Sequence, residues 1–111
     1  IGVVMPELPE VETVRRSLEK YLINKTIKNV EIYYPNIILN DLNFFKDNIK
    51  GQKIISLKRR GKWLIFELND YYLLSHLRME GKYLYRDINS EIGKHELVSF
   101  ILEDEELFVV I

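Results

Sequence analysis

The sequence predicts a mainly β domain with α elements: an antiparallel β-sandwich or barrel flanked by an N-terminal helix and a second short helix. Three observations predict it. β-Branched and aromatic residues cluster in runs of about four to eight between turn signals, helical periodicity is confined to two stretches, and no repeat or low-complexity tract divides the chain. At 111 residues, 47% hydrophobic and 30% charged, the chain suits one folded domain and is too apolar for disorder.

The first helix is predicted over Pro9 to about Leu22. Val11, Val14, Leu18, Tyr21 and Leu22 recur near helical period, Pro9 suits the first turn, and Glu10 and Glu12 sit at the electropositive end. A second, shorter helix follows Asp41, an N-cap residue, and runs through Leu42, Phe45 and Ile49 to Lys50-Gly51. Strands are expected near 28–34, 52–58, 63–68, 71–77, 82–85, 96–102 and 107–111. Asn69-Asp70 and Asp104-Glu105 read as hairpin tips, which favours antiparallel pairing. The last strand, Leu107 to Ile111, is apolar and has no cap or polar tail. It reads as a cut sheet edge in a fragment of a larger protein, and predicts self-association by edge pairing or swapping.

Charge and composition limit the function classes. With 16 Lys+Arg against 17 Asp+Glu the net charge is −1, so any case for an anionic partner must be local. The absence of cysteine excludes disulfides, thiolate zinc sites and cysteine nucleophiles from this stretch. His76 and His95 are the only histidines, so no metal site or cofactor is predicted in the chain. No apolar run approaches the roughly 18 residues of a membrane span, and the first residues lack a signal-peptide layout. The expected location is the cytoplasm, with no membrane partner.

The densest chemical signal is the run Met5-Pro6-Glu7-Leu8-Pro9-Glu10-Val11-Glu12-Thr13-Val14-Arg15-Arg16. Its plain reading is a proline-punctuated helix start whose acids match the dipole. Its chemical reading begins with Met-Pro, from which an initiator methionine is readily removed. Pro6 would then present a free secondary amine. A chain-terminal amine ordinarily titrates at about 7.7–8.0, which leaves a useful uncharged, nucleophilic fraction near neutrality. Such an amine attacks a sugar aldehyde carbon and forms an iminium, and the neighbouring Glu7 carboxyl is placed to move protons.

Other features are weaker alone. Between Asn48 and Phe66 lie six basic residues, Lys50, Lys53, Lys58, Arg59, Arg60 and Lys62, and no acidic one. They read plainly as a solvated, edge-protecting run, or chemically as a phosphate-binding groove. Trp63 reads as a core or sheet residue, His76 as a hydrogen-bonded core histidine, and Met79 as an ordinary loop residue. Glu103-Asp104-Glu105-Glu106 reads as a solvated turn facing away from any nucleic acid.

The MPELPEVETVRR run resembles the N-terminus of the bacterial formamidopyrimidine-DNA glycosylases. Leu8 stands where the related endonuclease VIII branch typically has glycine, which favours the oxidised-purine branch. Lys58 to Leu64 is similar to that family's basic hairpin, and His76-Leu77-Arg78-Met79-Glu80-Gly81 to its strand and loop that enter DNA. The resemblance divides the chain into an extension, 1–4, and an N-terminal catalytic domain, 5–111, truncated at its C-terminal end. It implies base-excision repair: N-glycosidic cleavage of 8-oxoguanine and formamidopyrimidines, then β,δ-elimination at the abasic sugar. Pro6 would be the Schiff-base nucleophile, Glu7 the general acid/base, and Glu10 a support for the site. Lys62 and His76 would contact the DNA backbone, and Arg59 and Arg60 of the same basic hairpin would bind DNA as well. Met79 would be a wedge filling the gap left by the flipped nucleotide. The implied partner is double-stranded DNA carrying an oxidised purine or abasic site.

Departures from the family pattern carry their own expectations. Ile1-Gly2-Val3-Val4 precede Met5, which makes the Pro6 nitrogen a tertiary amide unable to form an iminium, so the chain as written is expected to be inactive. Full-length members also carry an Arg and a Phe that complete the wedge, a helix-two-turn-helix domain and a four-cysteine zinc finger. Without them DNA would meet one wall of a cleft and bind weakly, with steep salt dependence. Leu97 stands where the family commonly has a second histidine, so the resemblance does not extend to a polar pair for His95. Two other readings stay open: a non-catalytic DNA-binding module of the same fold, and an interaction domain acting through its terminal strand.

Overall fold

In a computed structural model the chain folds into two antiparallel sheets and two α-helices, the mixed, mainly β architecture expected. The structure describes residues 8–76, 82–89 and 96–111. In chain order the elements are α1 (Leu8–Leu22), β1 (Ile27–Ile32), a 3-10 turn (Pro35–Ile37), α2 (Leu42–Ile49), β2 (Ser56–Arg60), β3 (Trp63–Glu67), β4 (Tyr72–His76), β5 (Tyr83–Asp87), β6 (Val98–Leu102) and β7 (Glu106–Val110). They fall into two compact units, residues 1–24 with 54–82 and residues 25–53 with 83–111. No described helix is long and apolar enough to cross a membrane.

The first unit is α1 over the sheet β2-β3-β4. The helix buries Val11, Leu18 and Leu22 of the predicted stripe, whereas Val14 is half-buried and Tyr21, 52% exposed, falls outside it. Ile54, Leu57, Leu64, Phe66 and Leu68 complete this unit's core. Arg15 ties helix to sheet, its Nη1 donating to the Leu57 carbonyl at 3.1 Å. Beyond Leu22 the chain turns at Asn24, whose φ of 70° is left-handed and whose N–H donates to the Ile54 carbonyl at 2.7 Å.

The second unit is a four-stranded sheet in the order β1-β6-β7-β5. Asp41 caps α2 as predicted, accepting from the Phe44 N–H at 3.1 Å. Phe45 of that helix meets Phe100, which stacks on Phe108, which stacks on Tyr83, at centroid separations of 6.4, 5.7 and 5.6 Å. Ile27, Val30, Ile49, Val98 and Leu102 are also buried, as are Leu107 and Val109, which alternate to the face of β7 opposite Phe108. The Asp104-Glu105 tip is present, with Glu105 at a φ of 64°.

Three expectations need correction. The terminal strand is not a sheet edge: β7 pairs with β6 on one side and β5 on the other, so edge association through it has no free ladder to use. The strand expected over 52–58 instead runs Ser56–Arg60, because residues 52 and 53 bond back toward Ile27 and Thr26 while Arg59 and Arg60 pair with Leu64 and Trp63. The first strand stops at Ile32, since the Tyr33 and Tyr34 N–H groups both donate to the Leu97 carbonyl and Pro35 opens the 3-10 turn.

Candidate nucleic-acid interface

The described residues to which the resemblance gives roles, Glu10, Arg59, Arg60, Lys62 and His76, belong to the first unit. Pro6, Glu7 and Met79 lie outside the described residues. Glu10 is exposed in the first turn of α1, next to the buried Val11 and two residues before Glu12.

The basic hairpin is a two-residue connection. Arg60 pairs with Trp63, which leaves Gly61 and Lys62 as the turn. Gly61 has φ +60° and Lys62 is not in the left-handed region, the backbone pattern of a type II′ turn, which places glycine first. Nothing lies within 4 Å of where a Gly61 side chain would begin, so the backbone angle and not crowding selects glycine.

Strand alternation sorts the cations onto two faces. Leu57 and Arg59 share the face toward α1 with Leu64 and Phe66, whereas Lys58 and Arg60 project from the other with Trp63 and Ile65. β4 extends that outer face with Tyr72, Leu74 and His76, which pair with Glu67, Ile65 and Trp63. Arg60, Trp63 and His76 therefore form one row across three strands. Trp63 is 42% exposed and its ring meets the His76 imidazole edge-on, centroids 5.0 Å apart. This overturns the core reading of His76; Trp63 is the sheet residue that was one of its two readings, and its exposure had a signal: Leu64 and Phe66 take the buried parity of β3, leaving Trp63 outside. Lys50 and Lys53 belong to the second unit. The acidic run is not wholly solvated either, because Asp104 pairs with Lys25.

Arg59 is bound within the fold. Its Nε donates to Glu12 Oε1 at 3.2 Å and its Nη1 to the Gly61 carbonyl at 3.1 Å. Glu12 also accepts from Arg15, at 2.8 and 2.7 Å, and from Arg16 at 3.1 Å. The Arg15 bonds, with those from Arg59 and Arg16, pull its carboxyl down to about 2 against a partial desolvation that pushes the other way. Glu12 was read only as a dipole partner. An arginine sharing the parity of Leu57 faces inward and needs an acid, which was the cue that could have found it.

Fold and site together define a β-rich domain that holds a cation-bearing hairpin against its N-terminal helix and spreads basic and aromatic side chains over one open sheet face. The family model described as the formamidopyrimidine-DNA glycosylase N-terminal domain matches residues 5–110, and the chain belongs to that family. It is similar to the formamidopyrimidine-DNA glycosylase of Enterococcus faecalis, 50% identical over 101 residues, and to that of Streptococcus pneumoniae, 53% identical over 100 residues. Each alignment takes in 90% of this chain and 36% of the relative, so the chain spans little more than a third of their length. Among solved structures it is similar to the Lactococcus lactis enzyme in complex with abasic-site DNA, with TM-score 0.89, 40% identity, and 94% of this chain and 38% of that one covered. A complex of the Lactococcus lactis protein with DNA containing N7-benzyl-Fapy-dG gives TM-score 0.90, also at 40% identity, covering 95% and 39%.

Proposed function

We propose that this chain is the N-terminal part of a base-excision repair glycosylase and abasic-site lyase acting on oxidised purines in double-stranded DNA. The observation that carries the reading is the start of the family match at Met5, directly before Pro6-Glu7, with α1 opening at Leu8. DNA as partner is supported by the complexes in which the Lactococcus lactis relative was solved.

In this reading the Pro6 nitrogen, freed of the residues before it, attacks C1′ of the damaged nucleotide as the base leaves. The lone pair becomes the new C1′–N bond as the C1′–base bond breaks; the nitrogen then loses its proton and the sugar ring opens, the C1′–O4′ electron pair leaving on O4′, which takes up a proton, and the resulting iminium withdraws electrons from C2′. A base then removes a C2′ proton and the 3′ phosphate leaves, the β-elimination; a second elimination expels the 5′ phosphate. Glu7 carries protons between these steps, and Glu10 supports the N-terminus from the first helical turn. Lys62 at the hairpin turn and His76 at the end of β4 hold the backbone beside the lesion, with Arg60 in the same outer row, and Met79 fills the vacated stack. With no cysteine the chain offers no thiolate to the structural zinc of the family's C-terminal part.

The test is covalent trapping by borohydride on a duplex with one abasic site, using the full-length protein with Pro6 as its first residue. An adduct is expected, and the same protein retaining Ile1 to Met5 is expected to give none, because its Pro6 nitrogen is an amide. Failure of the Pro6-leading form to trap would leave the non-catalytic DNA-binding module as the better account.

A further inference from the structure

Arg59 stands in the basic hairpin yet behaves unlike its neighbours. Lys58 and Arg60 are exposed, whereas Arg59 points toward α1 and its side chain is 27% exposed, against 26% for its partner Glu12. Its two bonds run in different directions. One reaches across 47 residues of sequence to the helix, and the other returns to the carbonyl of Gly61, the residue before Lys62. A second tie, from Arg15 to the Leu57 carbonyl, fixes the base of the same strand to the same helix.

The Glu12 carboxylate is itself held rigidly. Arg15 binds it through two nitrogens, the bidentate geometry that adds orientation to attraction, while Arg15 Nη1 is shared between Glu19 and Leu57. Arg16 adds a third cation from the solvent side. The acid is therefore a fixed post on α1, and Arg59 is a strut from that post to the hairpin turn.

We infer that Glu12 and Arg59 are positioning residues, which lock the turn bearing Lys62 to the helix that begins directly after Pro6-Glu7, and that Arg59 does not itself bind phosphate. The inference rests on the DNA reading for its purpose but not for its geometry. A hairpin free to swing would leave Lys62 and the N-terminal amine without a fixed spacing, and loss of a short strut far from the chemistry is enough to weaken a site that depends on such spacing.

The experiment uses the full-length protein and four variants of it, Glu12→Gln, Arg59→Met, the double substitution and Lys62→Ala, with two measurements. In the free protein, amide hydrogen exchange is read at residues 60–63. Each single substitution is expected to speed exchange at least about fivefold there, with the double no faster than the worse single, because one strut is being cut twice. On a short duplex with a single abasic-site analogue, affinity is then read against salt. Arg59→Met is expected to weaken binding severalfold with an unchanged slope, whereas Lys62→Ala lowers the slope by about 0.9. Unchanged exchange in both single variants, or a slope that falls by about one unit in Arg59→Met, overturns the inference. Should Arg59→Met fail to fold, Glu12→Gln decides the exchange result alone. If no version binds DNA, the DNA reading fails while the exchange data still accept or reject the strut.

Discussion

The two sheets use similar strand residues to opposite ends. In β2, β3 and β4 buried or half-buried positions alternate with more exposed ones, whereas in β6 and β7 seven of ten residues are buried, on both faces, and none is exposed. The four-stranded sheet commits its apolar residues to packing, including the stacked Phe100 and Phe108. The three-stranded sheet packs one face and leaves the other to Lys58, Arg60, Trp63, Tyr72, Leu74 and His76. A domain of this size can therefore keep one sheet as scaffold and present the other, because antiparallel sheets tolerate a solvent face and doubly covered strands do not.

The largest expected effect tests that division within one strand. Phe66 is 1% exposed on the helix side of β3, and Phe66→Ala is expected to cost about 3–5 kcal/mol in urea unfolding. Trp63 lies three residues away on the open side, and Trp63→Ala is expected to cost below about 1 kcal/mol. Equal losses would mean that the outer face is covered in the folded chain, and the comparison between sheets would fail.

How much of this was legible follows the same line. Local signals carried α1, the Asp41 cap and both hairpin tips, since each depends on residues a few positions apart. The continuous apolar run Leu107 to Val110 was also a true signal, misread: a strand without alternation is one covered on both faces, and such strands sit inside sheets. Sheet order and the Glu12–Arg59 pair were not legible as contacts, because they join segments that only the folded chain brings together. Parity with Leu57 could have shown Arg59 turned inward, but the strand was expected to end at 58, and no local rule named its partner. Of the site, sequence placed the cations in one hairpin but not on two faces of it.

The next expected effect compares the sheets by their cations. Lys62 sits in the hairpin turn of the three-stranded sheet and Lys28 is exposed on β1 of the other. Trp63 is the sole tryptophan and lies beside His76, so its fluorescence reports DNA arriving at the outer face. Titrations at several salt concentrations are expected to show the Lys62→Ala slope reduced by about 0.9 and the Lys28→Ala slope unchanged. Equal reductions would spread the DNA contact over both sheets and remove the functional difference drawn between them.

The smallest expected effect concerns acid, and it separates the paired charges of the helix side from the solvated cations outside. Glu12 has its carboxyl pulled down to about 2 by Arg15, Arg59 and Arg16, against 4.5 for the free group, and Glu19 is the nearby acid that shares Arg15. Between those two values the unfolded chain binds a proton that the folded chain does not, so stability contributed by Glu12 is complete above about pH 4.5 and is lost as pH falls toward 2. Glu12→Gln removes the charge at every pH and so has no such dependence of its own. The gap in melting temperature between the unmodified chain and Glu12→Gln is expected to be constant from about pH 7 to 5 and to narrow steadily from about 4.5 to 2.5. A gap that stays constant through the acid range would mean that the carboxylate is not held by the three arginines, and that the post on which Arg59 braces the hairpin carries no charge-dependent strength.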